Sequence, residues 1–187
     1  GWLTLTPIYD LGELWVVILF LISYGVSQSF VAGGEELVLR GYIQQNLSTR
    51  LTIPLSVFLS SVMFAILHLP KIIWGNTQAL LAVIWFVNLA LGGLLLGFAF
   101  VKTRMLWFPI GIHFSWNFVQ YHIIGIGGQG INIVQNIGME LLTGGQVGPE
   151  AGLLGTLAFL LLILIVWLLP QEWLISTPKV LQIIEEN

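Results

Sequence analysis

The chain has 187 residues, 57% of them hydrophobic and 8% charged, with a mean hydropathy of +0.93 and a net charge of −3. A soluble domain carries about 25% charged residues, so this chain cannot cover a soluble surface and reads as an integral membrane protein; with no basic arm or Lys/Arg cluster, nucleic acid is not an expected partner. The absence of cysteine excludes disulfides, Cys-ligated zinc, iron–sulfur clusters and a thiol nucleophile.

Residues 1–12 read as interfacial, with Trp2 and Tyr9 suited to the headgroup level and Pro7 opposed to a continuous span. Gly1 stands where a Met would open a chain, and no signal-peptide pattern precedes the first span. This is the expectation for a fragment or processed form lacking earlier spans. Residues 13–32 are the first apolar run, Gly33-Gly34 is a candidate kink, and 35–48 continue as helix. Unbroken, 13–48 would extend about 54 Å, more than a bilayer core of about 30 Å, so this helix must tilt, bend or protrude.

Further runs cover 52–69, stopped by Pro70-Lys71, then 78–101, stopped by Lys102-Thr103-Arg104, then 106–124. Residues 125–150 are Gly-rich and nearly uncharged and read as a long loop. Residues 152–169 make the last span, ended by Pro170, and 171–187 form a polar tail around Trp173. With no internal repeat, the expectation is one domain over 1–187: an all-α polytopic bundle of about five membrane-spanning helices with a cavity inside it. Arg50, Lys102, Arg104 and Lys179 fall on one side of five crossings and Lys71 on the other, which puts the first group in the cytoplasm. A bacterial-type plasma membrane is the default location, with a plastid membrane as the other option.

Polar groups inside these runs carry the chemical signal. A charged residue at the centre of a span costs roughly 2.5–3.5 kcal/mol on insertion scales, yet Glu35, Glu36, Arg40, His68, His113 and Asn117 all lie within apolar stretches. Glu36 and Arg40, four apart, share a helix face and can pair. That pair alone could be an intrahelical ion pair at a membrane boundary. Glu35 points about 100° away from Glu36. One acid can therefore hold the arginine while the other is free to act as a base. His68 ends its run with Phe64 on the same face; it could reach headgroups or a carbonyl, or share a water with a carboxylate. His113 and Asn117 share a stripe and could be interhelical glue or donors to a developing oxyanion. Ser115 lies about 200° from His113, which argues against a Ser–His pair. His122 reads as interfacial and Asn88 as a packing contact. Gly92, Gly93 and Gly97 read as close helix packing, Trp74, Trp107 and Trp173 as interface anchors, and Trp85 and Trp116 as deep enough to line a cavity.

Taken in order, Glu-Glu-x-x-x-Arg-Gly at 35–41, Phe-x-x-x-His at 64–68 and His-x-x-x-Asn at 113–117 resemble the CPBP (Abi) intramembrane proteases, which include the type II CAAX prenyl endopeptidases. The resemblance covers about residues 13–124. It implies a glutamate protease that requires no metal or other cofactor, embedded in membrane lipid. Its substrate would be a peptide or membrane-associated protein that, in the prenyl-protease members, is prenylated and cut from a cavity open to the cytoplasm. It implies that Glu35 and His68 activate a water, that His113 and Asn117 hold the oxyanion, and that Arg40 partners Glu36. Three alternatives stay open: a catalytically silent scaffold or regulator of the same fold, a zinc site built from Glu35, His68 and His113, and a haem or pigment protein using the two histidines. On straight helices His68 and His113 differ in depth by roughly 10 Å, so the groups meet only if helices tilt or the span boundaries shift.

Overall fold

The computed structural model describes residues 3–7, 14–75, 77–126, 130–136 and 138–170. The architecture is a bundle of apolar helices. It opens with α1 (Leu14–Glu36), which continues without a break through a π-helical segment, Leu37–Gln44, into the short α2 (Gln45–Ser48). Helix α3 (Ile53–Leu67) carries Pro54 in its first turn, where a missing N–H costs nothing. His68 breaks the helix, and α4 (Leu69–Trp74) follows. The long α5 (Ala79–Thr103) ends at Arg104, whose φ of 56° supplies a left-handed cap. Then come α6 (Trp107–Asn117) with a second π-helical segment, Phe118–Ile124, the single-turn α7 (Glu140–Thr143), and α8 (Leu153–Leu168).

Three of these helical stretches, Leu14–Ser48, Ile53–Trp74 and Ala79–Thr103, are long and apolar enough to cross a membrane, and Leu153–Leu168 is a shorter apolar helix. The expected fourth crossing, near 106–124, is helical over Trp107–Ile124, but His113, Asn117, Gln120 and His122 dilute its apolarity. Burial runs opposite to that of a soluble domain. Trp15, Ile22, Phe30, Leu160 and Trp167 are exposed, whereas Glu36, Arg40, Gln44, Asn88, Gln120, His122 and Glu150 are buried. That inversion is what a lipid solvent demands: apolar outside, polar groups paired within.

Helix α5 is the hub, packing on α3 and α8, while α1 packs on α6. The expected helix-packing glycines explain its closeness to α3. A Cβ at Gly93 would lie 2.8 Å from the Ser61 Cα, and one at Gly97 would lie 2.9 Å from Val57 Cγ1. Leu39, Phe64, Ala65, Trp85 and Leu89 form the core nearest the polar groups.

The expectation of a loop over 125–150 needs correction, because the segment contains a strand and short helical turns. Leu3–Pro7 (β1) pairs antiparallel with Asn132–Asn136 (β2), with Leu3 opposite Asn136 and Pro7 opposite Asn132. The Leu-Thr alternation of residues 3–6 is the local signal, but its partner lies far along the chain. The candidate kink at Gly33-Gly34 is helical; departure from α geometry begins at Leu37 instead. The expected polar tail, 171–187 with Trp173, lies outside the described residues, as do Trp2 and Tyr9.

Candidate active site

Helix α1 ends its α-helical part on the two acids, and the acids have different surroundings. Glu36 is fully buried. Its Oε1 accepts from Arg40 Nη1 at 2.9 Å and from His113 Nδ1 at 3.0 Å. Arg40, also fully buried, donates from Nη2 to the Gly93 carbonyl at 2.8 Å and lies 5.2 Å from the centre of the Phe64 ring. The spacing of four that predicted the ion pair also delivers it across the start of the π segment. One turn later Gln44, also buried, donates to the Gly97 carbonyl at 3.3 Å and accepts from Ser60 at 3.2 Å. The same glycines that let α3 approach α5 thus leave backbone carbonyls open to side chains from the π segment.

Glu35 faces elsewhere. Its side chain is 35% exposed, and its Oε2 stands 3.8 Å from His113 Nε2 without a hydrogen-bond partner. His113 therefore bridges the two acids, with Nδ1 on Glu36 and Nε2 toward Glu35. His68 is held by its own helix: Nδ1 donates to the Phe64 carbonyl at 2.8 Å. A carbonyl can only accept, so Nδ1 carries the proton, and in the neutral ring Nε2 presents a lone pair. Phe64 packs against both imidazoles, with ring centres 4.6 Å from His68 and 5.7 Å from His113.

Glu35, His68, His113 and Asn117 line one cavity of about 220 Å3, together with Gln28, Lys71, Tyr121 and Glu150. The expected depth mismatch does not keep His68 and His113 apart, because His68 sits at the break between α3 and α4 rather than at the end of a straight span. Ser115 faces away. It is exposed and lines a separate apolar cavity of about 650 Å3 on the other side of α6. Both π-helical segments begin directly after site residues, at Leu37 and at Phe118, and π geometry is frequent at functional sites.

Several readings made from sequence change here. His122 is not interfacial: it is buried at 1% exposure, with Gln28 Nε2 3.1 Å from its Nε2 and Tyr24 packed on its ring. Asn88 does more than pack. It donates to the carbonyls of Glu150 and Gly152 at 2.9 and 3.0 Å, pinning the loop before α8. Trp85 and Trp116 converge on a residue sequence reasoning missed, Glu150, whose Oε2 accepts from Trp85 Nε1 at 3.3 Å and from the Tyr121 hydroxyl at 3.1 Å. Its Oε1 accepts from Trp116 Nε1 at 3.3 Å. The available signal was an acid in an otherwise almost uncharged segment. Trp74 and Trp107 are more than 80% exposed, as interface anchors would be. Among the described residues, no group of three His, Cys, Asp or Glu side chains is arranged to hold a metal ion.

Helices that bury carboxylates, imidazoles and a guanidinium while exposing leucine and phenylalanine define a polytopic membrane protein with a polar cavity inside the bundle. The family model described as type II CAAX prenyl endopeptidase Rce1-like matches residues 11–119, more than half of the chain, and the protein belongs to that family. Membership makes it an integral membrane protein and implies a peptidase whose substrates are membrane-associated prenylated proteins. No curated protein and no solved structure matches the chain.

Proposed function

We propose that the protein is an intramembrane endopeptidase that hydrolyses a peptide bond with a water activated by Glu35 and His68. The observation that carries this reading is the meeting of Glu35, His68, His113 and Asn117, from three separate helical stretches, on one cavity wall. A water there donates one proton toward Glu35 and the other toward His68 Nε2, which leaves an oxygen lone pair for the substrate carbonyl. As the oxygen–carbon bond forms, the proton passes to Glu35, and the carbonyl becomes an oxyanion. The Asn117 amide donates to that oxyanion. His113 can donate from Nε2 while Nδ1 donates to Glu36 only as the imidazolium, for which Glu36 is the adjacent counter-charge once Glu35 has taken the proton. Glu35 then returns its proton to the leaving nitrogen, and the carbon–nitrogen bond breaks. Arg40 touches no reacting atom in this scheme; it fixes Glu36, which fixes His113.

Family membership supports a prenylated, membrane-attached substrate. The test is cleavage of a prenylated peptide by detergent-purified protein, comparing wild type with Glu35→Gln and Asn117→Ala, with and without a chelator. Wild-type cleavage that survives chelation and is lost in Glu35→Gln supports the reading; a Glu35→Gln protein that keeps the biological effect makes the chain a scaffold. The Lys/Arg distribution supports a cytoplasmic location for Arg50, Lys102 and Arg104. Lys71 and the loop bearing Glu150 then open the cavity outward, opposite to the cytoplasmic opening of the prenyl proteases. The chain has no cysteine, so Thr49→Cys and Gln78→Cys, labelled with an impermeant maleimide from each side, separate the two orientations.

A further inference from the structure

One lysine lines the acid–imidazole cavity. Lys71 lies three residues beyond His68 on α4 and is exposed at the cavity edge. A lysine at a membrane boundary usually extends its ammonium outward to water and headgroups. This one is turned inward. Its Nζ donates to the Tyr121 hydroxyl at 2.9 Å and sits 5.3 and 5.0 Å from the ring centres of Trp85 and Tyr121. Tyr121 in turn donates to Glu150, which Trp85 also meets. Two elements thus contact the ammonium, α5 through Trp85 and the second π segment through Tyr121, and the loop before α8 holds both through Glu150.

Glu150 does not pair with it directly. Among the described residues the ion pairs are those of Arg40 and His113 with Glu35 and Glu36. An ammonium has three donors, and Tyr121 takes one. The cavity, at about 220 Å3, is lined on the loop side by buried Glu150 and is smaller than the roughly 300–1,000 Å3 of ordinary ligand pockets. A peptide chain can enter such a space but has no room to run through it. A chain that stops inside presents its terminal carboxylate.

We propose that Lys71 binds the free α-carboxylate at the C-terminus of the substrate peptide, with Tyr121 and Glu150 as positioning residues for its ammonium. The proposal rests on the peptidase reading above. The experiment uses two S-farnesylated peptides of one sequence, one ending in a free acid and one in an amide. Wild type, Lys71→Gln and Lys71→Arg are assayed in neutral detergent, so that no headgroup phosphate competes. A charge-assisted hydrogen bond at an exposed edge corresponds to about a tenfold preference. Wild type is expected to favour the acid about tenfold in kcat/KM, Lys71→Gln to bring the ratio near one, and Lys71→Arg to restore most of it. The ratio is taken within one protein sample, so a lower folded fraction cancels. A wild-type ratio near one, or an unchanged ratio in Lys71→Gln, overturns the proposal. If wild type cleaves neither peptide, binding by fluorescence anisotropy decides. A Lys71-dependent preference for the acid then sinks the peptidase reading and keeps the anion site; no preference sinks both.

Discussion

Glu35 and Glu36 are neighbours in sequence and opposites in the fold. Glu36 is sealed from solvent and committed to two cations or donors, Arg40 and His113. Glu35 reaches the cavity with an oxygen that no hydrogen bond occupies. A buried carboxylate held by a guanidinium is fixed in position, which suits a strut. A carboxylate with an open lone pair on a cavity can take and return a proton, which suits a base. One turn of helix thus delivers a closed ionic anchor on one face and a cavity-facing carboxylate on the next. His113 connects them through its two ring nitrogens.

If this division is right, substitutions on the two sides fail differently. The largest effect is expected at Glu35. Glu35→Gln keeps size and polarity and removes the base, so peptide cleavage should fall by about 10²–10⁴-fold while the unfolding midpoint in detergent stays at the wild-type value. On the other side, Arg40→Met leaves Glu36 buried without its guanidinium. Breaking a buried pair costs about 3–5 kcal/mol, so denaturant titration in micelles should show a large loss of stability. Arg40→Met combined with Glu36→Gln should recover part of that loss, because both charges go together. Stability that is unchanged in Arg40→Met would mean the anchor is ornamental.

How far the sequence discloses this arrangement depends on how far apart the partners are. The Glu36–Arg40 pair follows from a spacing of four on one helix, and the His113–Asn117 stripe from the same rule. Cost in lipid singles out His68. The resemblance to the protease family supplies their grouping, which no local pattern contains. Glu150 escapes because its partners Trp85, Trp116 and Tyr121 come from elsewhere in the chain, and only the folded loop brings them together. Lys71 reads as a span terminator until Tyr121 is seen beneath it. The pairing of β1 with β2 is equally long-range, and the π segments are a property of backbone hydrogen bonding that residue types do not spell out.

A third test works within the cavity. Asn117 is half-buried on its wall, so Asn117→Ala should leave folding intact. Losing one oxyanion donor typically costs about 10²–10³ in kcat, less than the upper range for loss of the base. The loss should appear in kcat with KM little changed, because the bond forms only in the transition state. A rise in KM alone would move Asn117 from the oxyanion to substrate binding.

The smallest effects separate the glycines of the two faces. Gly93, whose carbonyl holds Arg40, is pressed against Ser61, and a Cβ there meets backbone at 2.8 Å. Gly93→Ala should therefore cost about 1–3 kcal/mol by overpacking. Gly33 and Gly34, just before Glu35, have open space where a Cβ would go. Packing gives no reason for glycine at either position, and alanine in a helix is better by about 0.5–1 kcal/mol. Gly34→Ala should raise the unfolding midpoint slightly. If it also lowers cleavage, the glycine pair lets the helix end carrying Glu35 move during turnover, which the anchored Glu36 side has no need to do. If cleavage is unchanged, the base works from a rigid helix, and the difference between the two acids is one of environment alone.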